Sequence, residues 1–231
     1  MHRSRSFVLL SLFFVLTLPL LSAPAAAQEW AQEVEVMTRI EVDGPVYTFL
    51  DTLSAALDQR PEVRLRRSEQ DETAIPYADL REQLYEDGID LLSATHAFVR
   101  YRFDIRERTR LVETVKDIYF ILRVDEAESD IPIVYLRTRD PMISELLTHS
   151  GVASPVNMKA ITPFRELLSF PILSRRSASA IVAFGGRPLR GDFEREHSMF
   201  MEFLREYTMG NGGSYVLHTA DRTVAVAGRS Q

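Results

Sequence analysis

The chain contains no cysteine. That excludes thiol catalysis, cysteine-ligated zinc, iron–sulfur clusters, disulfide scaffolds and a lipid anchor on an N-terminal cysteine. Lysine is nearly absent, occurring only at Lys116 and Lys159, so almost every cation is a guanidinium. Glycine and proline are few, at 10 and 11, which excludes collagenous and low-complexity classes. Long apolar runs are missing too. The longest, Phe7 to Leu21, would make roughly 22 Å of helix against a hydrocarbon core of about 30 Å. Several diagnostic patterns are also absent: Gly-x-Ser-x-Gly, His-Glu-x-x-His, the P-loop and the dinucleotide fingerprint.

What is present is average for one globular domain: 231 residues, 45% hydrophobic and 26% charged. The net charge of −6 argues against nucleic acid as a partner. Residues 1–27 have the layout of a cleaved export signal. Arg3 and Arg5 form the basic start, Phe7 to Leu18 the apolar centre, and Ala25-Ala26-Ala27 a small-residue cleavage site. The expected mature protein is therefore residues 28–231, a single domain that is periplasmic or extracellular and has no membrane anchor. Removing Arg3 and Arg5 takes its net charge to about −8.

Strict alternation over Glu33–Asp43 and Ala97–Ile105 predicts two half-buried strands. Between them, Val46, Phe49, Leu50, Leu53, Ala56 and Leu57 recur at helical spacing, with Asp43-Gly44-Pro45 as a start and Arg60-Pro61 as a stop. A second short strand is expected at Val63–Leu65 and a helix from Tyr77. Ile118–Val124 and Ile131–Thr138 read as a hairpin around an acidic turn. A short helix follows Asp140-Pro141 and is expected to end at Gly151. Residues 155–171 read as irregular except for a short helix at Pro163–Ser169. Ala180–Phe184 reads as a strand buried on both faces. Residues 192–209 read as a helix, and 215–219 with 223–227 as a final hairpin. The expected fold is α+β: a mixed, mostly antiparallel sheet with helices packed mainly on one face.

Arg100, Arg102 and Arg106 recur at period two, which places three guanidinium groups on one sheet face. They are the candidate ligand-binding residues, suited to an anion. The same spacing allows simple cross-strand pairing with Glu33, Glu35 and Glu41, if those two strands are neighbours. Glu194 with His197, and Glu145 with His149, lie one helical turn apart, but no complete metal-ligand set accompanies them. No metal and no cofactor are expected. The composition and motifs favour an exported, non-catalytic binding or accessory protein of the bacterial cell envelope, monomeric or dimeric. It would dock an envelope or extracellular protein, or a small anionic ligand, through a charged sheet face or an edge strand. The alternative is a secreted hydrolase whose loops assemble a set from His96, Asp104, His149 and Asp140.

Overall fold

The computed structural model describes residues 31–106, 110–124, 129–153, 160–176, 178–185, 187–188, 195, 198–202, 204–205, 214–219 and 222–225. The expected signal at 1–27, the acidic turn residues 125–128, the Gly191-Asp192 helix start and the pair Glu194 and His197 lie outside them.

β1 (Ala31–Arg39) alternates as expected, but ends before Ile40. The chain then turns through Asp43, a non-glycine residue at φ 66°, and enters α1 (Pro45–Asp58) at Pro45. Gly44 takes the N-cap position and no side chain caps the helix, so Asp43 does not play the capping role its position suggests. Val46, Phe49, Leu50, Leu53 and Leu57 form the buried stripe of α1. A two-stranded ribbon of β2 (Arg64–Leu65) and β3 (Ile75–Pro76) leads into α2 (Tyr77–Glu86), which buries Tyr77, Leu80 and Leu84.

β4 (His96–Arg106) is the centre of the main sheet, pairing antiparallel with β1 on one side and β5 (Arg110–Leu122) on the other. The helical alternative that the spacing of Ile89, Leu92, His96, Val99 and Phe103 allows is not what forms. Strand β5 is longer than the Ile118–Val124 run suggests, because Arg110–Asp117 breaks the simple alternation yet remains in the ladder. Its far edge carries β6 (Ile131–Arg137), antiparallel, and β11 (Ser214–Thr219), parallel. β12 (Arg222–Ala225) closes that side as a hairpin with β11. Across β1 lie β9 (Ser179–Phe184) and β10 (Arg187–Pro188), both antiparallel. The result is a mixed, mostly antiparallel sheet in an α+β fold. Ile181 of β9 is buried, but Ser179, Ala180, Val182 and Ala183 are only half-buried, so over these residues it is not the two-face-buried strand its apolar run implies.

Among the described residues, the aromatic contacts between helices and sheet lie on one face. Phe49 of α1 stacks at 6.4 Å on Phe120 and meets the edge of Phe164 at 5.3 Å. α3 (Pro141–His149) buries Ile143 and Leu147. After α3, Gly151 starts a strand instead of ending the helix: β7 (Gly151–Ala153) pairs with β8 (Ile161–Pro163) inside a stretch that reads as irregular. A Cβ at Gly151 would lie 2.0 Å from the Thr162 carbonyl oxygen, so this close approach requires glycine. The expected short helix is two, α4 (Phe164–Leu167) and α5 (Phe170–Leu173). Phe170 meets Tyr101, Phe103 and Phe200 edge-on at 5.1–5.5 Å, and the Tyr101 hydroxyl donates to the Leu168 carbonyl at 2.7 Å. Phe200 and Leu204, among the helical residues 198–202 and 204–205, complete this layer. No helix among the described residues is long and apolar enough to cross a membrane.

Candidate functional site

Among the described residues the helices do not pack on the other sheet face, where cross-strand register arranges the side chains in rows and Phe98 and Tyr135 are buried. One row is apolar: Met37, Phe98, Tyr119 and Tyr135 are successive partners across β1, β4, β5 and β6. The rings of Phe98 and Tyr119 stack at 4.6 Å with 5° between their planes. The next row alternates in charge: Glu35, Arg100, Asp117 and Arg137.

A β-bulge makes the second row possible. Arg100 pairs with Asp117 but Tyr101 pairs with Val115, leaving Lys116 as an extra residue in β5. Without the bulge, alternation from Val115 would turn Asp117 toward the core. With it, Lys116 and Asp117 both belong to the open face, where Lys116 Nζ donates to Glu33 at 2.7 Å. Thr138 stabilises the irregular turn of chain: its hydroxyl donates to the carbonyls of Val115 and, at 3.0 Å, Lys116, while its N–H also donates to Lys116 at 3.0 Å.

Arg100 is the hub. Its Nε donates to Glu35 at 3.2 Å, Nη1 reaches Asp117 at 3.5 Å, and Nη1 and Nη2 grip both oxygens of Glu69 at 2.9 and 3.0 Å. The first two carboxylates come from neighbouring strands and are well shielded, with side chains 16% and 13% exposed. Glu69 comes from the loop between β2 and β3 and is 45% exposed. Burial raises the pKa of Glu35 against the pull of Arg100, whereas the hydrogen bonds from Arg100 lower that of Glu69. Tyr135, desolvated and hydrogen-bonded to Asp117, is pushed up to about 12.

Beside this hub lies a groove of about 380 Å³ lined by Glu69, Arg100, Lys116, Asp117, Arg137 and Arg139, among others. Four cations and two carboxylates line it, and Glu35 and Glu33, paired with Arg100 and Lys116, bring the carboxylates around those cations to four. Among the described residues no carboxylate lies within salt-bridge distance of Arg137 or Arg139.

No family model matches the chain, and no curated protein matches it by sequence.

Of the three arginines singled out by spacing, Arg100 and Arg102 do share the open face opposite Glu35 and Glu33. Their charges are largely occupied. Arg100 holds three carboxylates, and Arg102 Nε donates to both oxygens of Asp104 at 2.9 and 3.1 Å. The side chain of Arg106 is outside the described residues, and Glu41 pairs with Arg176 at 2.6 Å and not with this stripe. The residues that spacing missed are Lys116, Arg137 and Arg139. Arg137 and Arg139 sit at the end of β6 and in the turn after it, where only strand register brings them to Asp117 and Arg100.

The hydrolytic set is dispersed among the described residues. His96 opens β4 and its Nδ1 lies 3.1 Å from the Thr95 hydroxyl, His149 is exposed at the end of α3, and Asp104 is bound to Arg102. Asp140 occupies the N-cap position of α3. Glu145 faces Arg60 at 3.8 Å, and no cluster of three or more potential metal ligands occurs among the described residues. Two buried charges do stand out on the helix-covered side. Glu113 is 1% exposed, accepts the Phe170 N–H at 2.8 Å, and is pushed up to about 8 by burial. Arg165 is 8% exposed, and its Nε and Nη1 meet no acceptor.

Proposed function

We propose that the protein is a non-catalytic binding or accessory protein, exported to the cell envelope, whose open sheet face receives an anionic ligand at the groove beside Arg100. The observation that carries this reading is that two cations lining the groove, Arg137 and Arg139, have no carboxylate within ion-pair distance among the described residues. Both are planar, permanently charged donors lining a concave surface. The flanking apolar row of Met37, Phe98, Tyr119 and Tyr135 gives the face a rigid floor, and the helices support it from behind.

The test is the thermal midpoint of the protein against a panel of small carboxylates, phosphate and sulfate. An anion at about 100 times its Kd adds roughly 2.7 kcal/mol, several degrees for a domain of this size. The rise should disappear in the double variant Arg137→Ala/Arg139→Ala. A flat response across the panel, or a rise that survives the double substitution, refutes the assignment.

A further inference from the structure

We infer that Glu69 is a built-in occupant of the ligand site, and that the natural ligand presents a carboxylate that takes its place on Arg100. The inference rests on the reading of the groove as an anion site and specifies what enters it.

Three features single out Glu69. The first is redundancy: the Arg100 guanidinium already meets Glu35 and Asp117, so a third carboxylate exceeds what one cation can neutralise. The second is geometry. Glu69 engages Nη1 and Nη2 with one oxygen each, at 2.9 and 3.0 Å, the two-pronged arrangement by which arginine selects a planar carboxylate. The third is attachment. Glu35 and Asp117 are fixed by strand register, whereas Glu69 stands on a loop and keeps 45% of its side chain in solvent.

The loop can release the side chain without coming apart. Its own turn is closed by Asp71, which accepts the N–H groups of Arg67 and Ser68 at 3.0 and 2.8 Å. Its attachment to the body runs through Arg67, which donates to the Pro132 carbonyl at 2.9 Å and pairs with Asp87 at 2.6 Å, and through the bridge of Arg66 with Tyr135. None of these contacts passes through the Glu69 side chain. An incoming carboxylate therefore exchanges one ion pair on Arg100 for another, keeps the attraction of Lys116 and Arg137 that already acts on Glu69, and comes beside Arg139 at the groove wall. The displaced Glu69 side chain returns to water, where a carboxylate is well solvated.

Succinate and inorganic phosphate serve as probes, titrated into wild type, Glu69→Gln, Glu69→Ala and Glu72→Gln, with binding read by calorimetry. Glu72 is in the same exposed loop, and its side chain makes no described bond to Arg100, so Glu72→Gln controls for the loss of one negative charge nearby. Both Glu69 variants should bind succinate at least fivefold more tightly than Glu72→Gln does, with a smaller gain for phosphate. Equal gains in the Glu69 and Glu72 variants, or none, overturn the built-in occupant. If wild type nevertheless binds either probe in a manner sensitive to Arg137→Ala/Arg139→Ala, the groove assignment survives that failure. Absence of binding by wild type and by every variant overturns both. A phosphate gain exceeding the succinate gain overturns the carboxylate specificity.

Discussion

Glu113 is buried because β5 alternates: Leu111, Glu113 and Val115 share a face, and that face is the core. Its pKa of about 8 compares with an ordinary value of 4.5, so the folded chain holds a proton that the unfolded chain releases. Stability from this group is full below about pH 4.5 and is lost as pH rises toward 8, by on the order of a few kcal/mol. Glu113→Gln keeps an acceptor for the Phe170 N–H and removes the titration. Melting curves from pH 4 to 9 should show the variant close to wild type at the acid end and clearly more stable above pH 8; parallel profiles would refute this. Arg165 carries the opposite charge into similar surroundings, and burial lowers its pKa. With Nε and Nη1 buried and meeting no acceptor among the described residues, it is a net cost to the fold. Arg165→Met, which retains the packing of the stem, should raise the thermal midpoint by the equivalent of about 1–2 kcal/mol. A lower midpoint would show that the guanidinium is stabilising in place.

At the scale of elements, the bulge in β5 converts a strand into part of a site. Its irregular carbonyls are satisfied from the turn after β6, through the hydroxyl and N–H of buried Thr138. Thr138→Val preserves shape but removes the hydroxyl, leaving the Val115 carbonyl without that donor. The expected cost is about 1–3 kcal/mol in chemical denaturation, with most of it restored in Thr138→Ser. Because Lys116 and Asp117 depend on the bulge for their orientation, Thr138→Val should also weaken anion binding, whereas Thr138→Ser should not. Equal binding by the two variants would separate the bulge from the groove. The hairpin, the α1 stripe and the alternating β1 and β4 were legible because each repeats a simple period. β5 was half legible, since the bulge interrupts the period that identifies it. The β7–β8 ribbon was not legible at all: three-residue strands have too few positions to show alternation, and the requirement for Gly151 arises only from the nearness of Thr162.

At the scale of the whole molecule, a net charge of −6 surrounds a local cationic groove. Small anions can enter it, but a long polyanion would be repelled by the net negative charge of the chain. Fluorescence anisotropy with a labelled DNA duplex at about 0.15 M salt should show no binding at concentrations where succinate binds Glu69→Gln. Retention of the duplex would mean that the cationic area is larger than the groove.

Composition and periodicity were sufficient to establish the α+β class, the cysteine-free core and the face on which Arg100 and Arg102 lie, because these depend on neighbours along the chain. The partners of those arginines depend on neighbours in space. Glu35 and Asp117 reach Arg100 through strand register, Glu69 through the path of a loop, and Arg137 and Arg139 through a β5–β6 pairing whose register shifts at Phe120/Ile121. Period two could show that Arg100 was a cation on a sheet surface. Only the tertiary structure decided that its charge is largely occupied, and that Arg137 and Arg139, which have no ion-pair partner among the described residues, stand two strands away at the end of β6 and just beyond it.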